Sequence, residues 1–326
     1  MASVRNFFLE LSREIYNVSW TLFKLMIPVI LVVKLLQELG GITWLSAVLA
    51  PLMALVGLPD SMGLVWATTI LTNIYAGMLV FVTQAQGEAL SVAQVTVLGG
   101  LLLMAHGLPV EAVIARKAGV RLRVTLLLRI GGSLLFAWLL HFIYSQGGWL
   151  QHANHLLWRP ELKVDGGLFA WATIQLKSLM MIQLIIVALL TGLKILRILK
   201  IERLIGWLLG PLLRLLGIGR EATTITVIGV TLGLAFGGGL LINEARKGEV
   251  LPRDIFTSMT LLGLLHSLIE DTLLVMLLGA DISGVLWLRL LFAFLAVAFV
   301  ARLLRLVGDD LFQRQLFHQT NSGQQR

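Results

Sequence analysis

Long apolar runs separated by short polar stretches dominate the chain. Met26 to Leu36, Val124 to Ile143, Leu179 to Leu190 and Gly284 to Val300 reach or approach the ~20 residues an α-helix needs to cross ~30 Å of hydrocarbon. The runs are rich in leucine and lack the ~10-residue alternating segments of a β-barrel, so backbone hydrogen bonds close within each helix. The pattern predicts an all-α, polytopic membrane protein. Upstream, Arg5 to Trp20 carries Phe7, Phe8, Leu11 and Ile15 on one side, with Glu10, Arg13 and Glu14 between them. It predicts an interfacial helix. No short apolar core with a small-residue cleavage site accompanies it, so no cleaved signal peptide is expected, and the first span is expected to anchor the chain.

Sliding the chain along itself by 211 − 51 = 160 residues aligns two long stretches without a gap. Pro51, Leu52, Leu55 and Gly57 fall on Pro211, Leu212, Leu215 and Gly217; Gly77 falls on Gly237 and Ala85 on Ala245. Polar positions match as well: Lys34 with Lys194, His106 with His266, Glu111 with Asp271, Gly119 with Gly279 and Arg129 with Arg289. Chance superposes leucines in such a composition, but not His, Pro and Arg in one frame.

Each repeat reads as five helical segments, in the first near residues 18–38, 42–57, 61–83, 91–113 and 124–145. The second segment, about 16 residues and so about 24 Å long, is short for a full span and contains Pro51 or Pro211, which suits a tilted or broken crossing. The expected organisation is an interfacial helix over 1–17, a first membrane repeat over 18–145, an extracytoplasmic connection over 146–167, a second repeat over 168–305 and a polar cytoplasmic tail over 306–326.

Charge selects the topology. If all five segments cross, 17 of the 26 Lys and Arg fall on the predicted cytoplasmic side, five (Lys34, Arg159, Lys163, Arg214 and Arg220) on the other, and four (Lys24, Arg129, Lys177 and Arg289) within spans. That asymmetry matches the positive-inside rule and weakens if the second segments lie on the surface. An odd number of crossings forces the second repeat to enter from the opposite side, giving inverted-topology repeats. Accordingly, the basic 116–123 loop has a nearly uncharged counterpart around Asp281, and the 84–91 loop, without Lys or Arg, has a basic counterpart at 246–253. Trp149, Trp158 and Trp171 flank the central connection as an outer aromatic belt would. The expected location is a bacterial inner membrane, with both termini cytoplasmic.

Composition narrows the chemistry. The 326 residues are 57% hydrophobic and 13% charged, with mean hydropathy +0.88. The net charge of +8 is scattered over short loops, so it reads as membrane orientation and no nucleic acid is expected. The absence of cysteine excludes disulfides, thiolate metal sites and cysteine nucleophiles. There is no phosphate-binding Gly-Lys-Ser/Thr loop, no His-Glu-x-x-His and no Gly-x-Ser-x-Gly, so neither an ATP-driven pump nor an intramembrane hydrolase is expected, and no catalytic residue, enzyme activity, cofactor or metal is assigned.

Matched polar residues in inverted repeats can converge near the bilayer midplane, where transporters bind cargo. His106 and Glu111 lie in a stretch where Gly107 and Pro109 should break the helix; their counterparts are His266, Glu270 and Asp271. A broken helix exposes backbone groups that can hold a substrate or ion, and imidazole or carboxylate adds a titratable ligand. The same histidines also suit a structural role, each hydrogen-bonding a neighbouring helix. Arg129 and Arg289 each follow an acidic residue by 18 positions, which suggests the pairs Glu111 with Arg129 and Asp271 with Arg289. Such pairs lock helices together as readily as they bind cargo, and an Arg can also snorkel to an interface. In the third segments Thr72 and Asn73 would line a polar path, and Gly237, Gly238 and Gly239 would unwind a helix or let helices pack closely.

The two-part pattern, with Pro51, Gly57, Gly77 and His106 to Glu111 answered by Pro211, Gly217, Gly237 and His266 to Asp271, resembles the bacterial nucleoside-recognition, or Gate-domain, membrane proteins, which include spore maturation proteins A and B. The resemblance covers nearly the whole chain and implies one Gate unit per repeat. It also implies a similarity to the membrane parts of concentrative nucleoside transporters and of ferrous-iron transporter B. The chain departs from both: it has no GTPase domain and no cysteine, which argues against iron transport, and it is short for a complete nucleoside carrier. The expected function is a secondary transporter or permease for a small polar solute or ion, with His106, Glu111, His266, Glu270 and Asp271 at the site. The alternative is a non-transporting scaffold or assembly subunit. Expected partners are the lipid bilayer, the small solute or ion, and further copies of the chain.

Overall fold

A computed structural model describes residues 2–85, 88–156, 167–248 and 250–318. Every regular element among the described residues is helical. Helices α1 (Ala2–Glu38), α2 (Gly41–Leu55), α3 (Met62–Leu71), α4 (Ile74–Gln84), α5 (Val92–Met104) and α6 (Leu108–Lys117) lead into α7 (Leu122–Leu126), a π-helical turn (Leu127–Gly131) and α8 (Gly132–Gly147). Then follow α9 (Gly167–Ile198), α10 (Ile201–Leu215), α11 (Arg220–Leu232), α12 (Leu234–Lys247), α13 (Pro252–Leu264), α14 (Glu270–Leu277), a second π-helical turn (Ser283–Leu288) and α15 (Arg289–Leu306). The bounds of α2 and α10, and of α5 and α13, differ by 160 residues at both ends. Left-handed backbone recurs at the same shift, at Gly40 and Lys200, Gly57 and Gly217, Gly107 and Ser267, and Gly119 and Gly279.

Five helical stretches among the described residues are long and apolar enough to cross a membrane: Asn6–Glu38, Val92–Lys117, Leu122–Gly147, Gly167–Ile198 and Ser283–Leu306. Val92–Lys117 is 72% buried, against 17 to 28% for the other four, so α5 and α6 stand at the centre. Helix α9 shows how the outer helices divide their faces. Ile182, Ile186, Leu189 and Leu190 turn inward, while Leu176, Met180 and Leu184, spaced by four, are 60 to 66% exposed. An apolar stripe of that kind is unfavourable in water and favourable against acyl chains. The protein is a multi-pass helical membrane protein.

Three expectations are corrected. Residues before 18 do not form a separate interfacial helix, because α1 runs unbroken from Ala2; no glycine or proline precedes Pro28 to interrupt it. The segment expected over 61–83 is two helices. Thr72 leaves the helical region, and Asn73, in extended backbone, caps α4 by accepting from Ala76 N at 2.9 Å. The Gly237 to Gly239 run lies inside α12 and does not unwind it; the break falls four residues earlier, at Gly233 (φ 98°). Gly237 instead lets α12 lie directly on the backbone of Gly229 in α11. Trp158, Arg159, Lys163 and the tail beyond 318 lie outside the described residues.

The two parts clasp each other. Phe317, beyond α15, stacks onto Gly119 between α6 and α7, and His318 N donates to Gly119 O at 2.8 Å. In the mirror contact, Asn154, beyond α8, covers Gly279 between α14 and the second π-helical turn, and its amide donates to Leu278 O at 3.0 Å. Both glycines hold φ near +100°, and a Cβ on either would collide with the covering side chain.

Candidate functional site

Two broken helices build the polar centre. Helix α5 stops at Met104 because Ala105 departs from helical geometry, Gly107 turns left-handed and Pro109 opens α6. Helix α13 stops at Leu264, and there Ser267 takes the left-handed turn at φ 46°. Each break is bonded to the adjoining one: Gly107 N donates to Thr69 O at 3.0 Å, and Leu268 N to Val230 O at 2.9 Å.

A helix that ends inside a protein leaves its last carbonyls without partners. His106, His266, Arg129 and Arg289 supply the missing donors. His106 Nδ1 lies 3.0 Å from Leu102 O, and His266 Nδ1 lies 2.6 Å from Leu262 O. A carbonyl can only accept, so each Nδ1 carries the hydrogen, and in the neutral rings each Nε2 presents a lone pair. Arg289 donates through Nε to Leu264 O (3.2 Å) and through Nη2 to His266 O (3.2 Å) and Leu103 O (3.4 Å). Arg129 Nη2 donates to His106 O at 2.9 Å. The two guanidiniums, 2% and 0% exposed, therefore act as cationic caps on buried helix C-termini. Arg129 lies in the first π-helical turn and Arg289 directly follows the second. The wider turn offsets these side chains from the α-helical register.

Between the caps, acceptors converge. The two Nε2 atoms are 2.9 Å apart. Glu111 Oε1 is 3.1 Å from His266 Nε2 and 3.5 Å from His106 Nε2, while its Oε2 pairs with Arg129 Nη1. Asp271 Oδ2 is 3.5 Å from His106 Nε2 and has no hydrogen-bond partner. His106, Glu111, His266 and Asp271 thus share one centre. The anticipated pair of Asp271 with Arg289 is absent: the guanidinium is committed to carbonyls, its Nη1 is unpartnered, and the carboxylate faces His106.

The remaining candidates lie at the edge. Glu270 accepts from Tyr75 OH at 3.0 Å and is absent from the acceptor cluster. Thr72 donates to Thr68 O at 2.6 Å, with its own carbonyl close to Gly107. Asn73 is occupied as the α4 cap, and its buried Nδ2 has no partner. A cavity for about one water molecule, lined by Glu111, Thr125, Arg129 and Thr260 among others, reaches the carboxylate. The imidazoles are closed off, at 8% and 2% exposure. The backbone groups of Leu102, Leu103, Leu262 and Leu264 that orient the site carry no side-chain signal, although a carbonyl four residues before each His follows once the helix break is located.

An apolar exterior wrapped around a buried cluster of two His, two carboxylates and two Arg defines a helical membrane protein with a polar centre. The chain belongs to the family of the uncharacterized membrane protein YvoD of Bacillus subtilis (strain 168), with which it shares 30% identity over 293 residues, 88% of this chain and 91% of that relative. No protein-family model matches the chain, and no solved structure matches it.

Proposed function

We propose that this protein is a secondary transporter or permease that moves a small polar solute or ion through a site between two inverted-topology, Gate-like repeats, in a bacterial inner membrane with both termini cytoplasmic. It performs no catalytic step. The observation that carries the reading is the convergence of His106, His266, Glu111 and Asp271, from both repeats, beside two interrupted helices. Ionisable groups inside a membrane are costly, and interrupted helices in transporters supply binding groups at the midplane. The burial of both imidazoles suits a closed state of a carrier, and it equally favours a second reading, a scaffold in which the cluster fixes the repeats together.

Reconstitution in liposomes with nucleosides, divalent metals and organic anions, at several pH gradients, separates the two. Flux of any of these that falls at least about tenfold in Glu111→Gln and His106→Ala supports the carrier. Absence of flux for the whole panel, or flux indifferent to both changes, supports the scaffold.

A further inference from the structure

The central cluster has an excess of acceptors. With both Nδ1 hydrogens given to Leu102 and Leu262 carbonyls, two Nε2 lone pairs face each other at 2.9 Å, with Glu111 Oε1 and Asp271 Oδ2 against them. No donor from the described residues enters this group; Arg129 reaches the far oxygen of Glu111, and Arg289 bonds only to carbonyls. Acceptors gathered in this way repel one another unless a proton or a cation lies between them, and the spacing bears on which.

The spacing fits a small tetrahedral cation. Zinc-type ions bind imidazole nitrogen and carboxylate oxygen at about 2.0–2.2 Å, which sets ligand atoms about 3.3 Å apart. The triangle His106 Nε2, His266 Nε2, Glu111 Oε1 has edges of 2.9, 3.1 and 3.5 Å. Asp271, with Oδ2 at 3.5 Å from His106 Nε2, offers a fourth ligand: His106, His266 and Asp271 each present a ligand atom within 4.8 Å of the other two. The outer shell is also in place: each imidazole is held by a backbone carbonyl through its other nitrogen, and Arg129 holds Glu111 by the oxygen that faces away. Asp271 is 7% exposed with Oδ2 unpartnered.

We propose that His106, His266, Glu111 and Asp271 form a divalent transition-metal site of the zinc type, and that such an ion is the cargo, the second statement resting on the transport reading above. The guanidiniums of Arg129 and Arg289 offset the two carboxylate charges, which limits affinity and lets the ion leave, as a cargo site requires.

The test uses Co(II) as a spectroscopic substitute on the full chain in detergent. Expected is one Co(II) per chain with the intense visible absorption of four-coordinate cobalt, competed by Zn(II), and weakened about 100-fold or more in His106→Ala and His266→Ala. Asp271→Cys exchanges the carboxylate for a thiolate, a shorter side chain whose longer metal–sulfur bond, about 2.3 Å, makes up part of the difference in reach. Because the chain has no other cysteine, a thiolate-to-cobalt charge-transfer band in that variant identifies position 271 as a ligand. Should the variants fail to fold, X-ray absorption on the zinc-loaded wild type counts two imidazoles directly. No stoichiometric binding, the weak absorption of six-coordinate cobalt, or a bound ion without imidazole ligands overturns the site. Binding without flux of the metal into liposomes keeps the site and overturns its role as cargo; flux of another solute without metal binding overturns the inference and leaves the transporter reading standing.

Discussion

His106 and His266, 160 residues apart in the chain, hold their Nε2 atoms 2.9 Å from each other. Neither ring can rotate away without releasing the carbonyl behind it, Leu102 O for one and Leu262 O for the other. The two residues should therefore be energetically coupled. Single changes to Ala and the double change, followed by thermal unfolding in detergent, are expected to give an interaction energy of about 1 kcal/mol or more. Additivity within error would mean that the contact carries no energy.

The Glu111 and Arg129 pair is the buried ion pair of the centre. Removing one partner strands the other. Arg129→Met is expected to destabilise the protein by about 3–5 kcal/mol, and adding Glu111→Gln should restore part of that loss, because the carboxylate stranded by the first change is then gone. Arg289 hydrogen-bonds only to carbonyls and meets Asp271 through charge without a direct pair, so Asp271→Asn should rescue its loss by less than Glu111→Gln rescues Arg129→Met. Comparing unfolding of the two double variants distinguishes ion pair from helix cap.

Adjacent glycines of one run should behave oppositely. A Cβ at Gly237 meets the backbone of Gly229, which cannot yield, whereas at Gly239 nothing lies within 4 Å. Gly237→Ala is expected to lower the unfolding temperature, and Gly239→Ala to leave it unchanged or raise it, through a stability gain of up to about 1 kcal/mol from helix propensity alone. Equal effects would contradict the close approach of α11 and α12.

The contact of residue 318 should depend on pH. Burial of His318, then the charges of Arg121 and Arg116, hold its imidazole below the ordinary range. Its docked form is favoured neutral, so the contribution to docking is fully present above the free imidazole value of about 6.5 and is lost as pH falls through the lower, docked value. Hydrogen exchange of residues 312–318, corrected for intrinsic rate, is expected to quicken as pH drops from about 7 to about 5. His318→Gln should abolish that trend.

What the sequence discloses here follows from where its signals lie. Span lengths and the 160-residue shift are written in side chains, so the helical membrane architecture and the grouping of His106, His266, Glu111 and Asp271 could be anticipated. The break at Thr72 and Asn73 was masked by apolar flanks on both sides, although Asn is a strong cap. The glycine run left two readings open, an unwound helix or close packing; Gly237 packs against Gly229, and the unwinding falls at Gly233 instead, outside the run. Pairing Asp271 with Arg289 failed because orphaned carbonyls at Leu264 and His266 claimed the guanidinium first.

The cover of Phe317 over Gly119 bears on how the protein is made. Residue 119 is inserted long before residue 317 is synthesised, so the loop between α6 and α7 must wait, with its glycine backbone uncovered, until nearly 200 further residues have been added. The early portion consequently cannot mature alone in the bilayer; its last packing step belongs to the end of translation, and a ribosome-stalled fragment ending before residue 312 should remain protease-sensitive near Gly119.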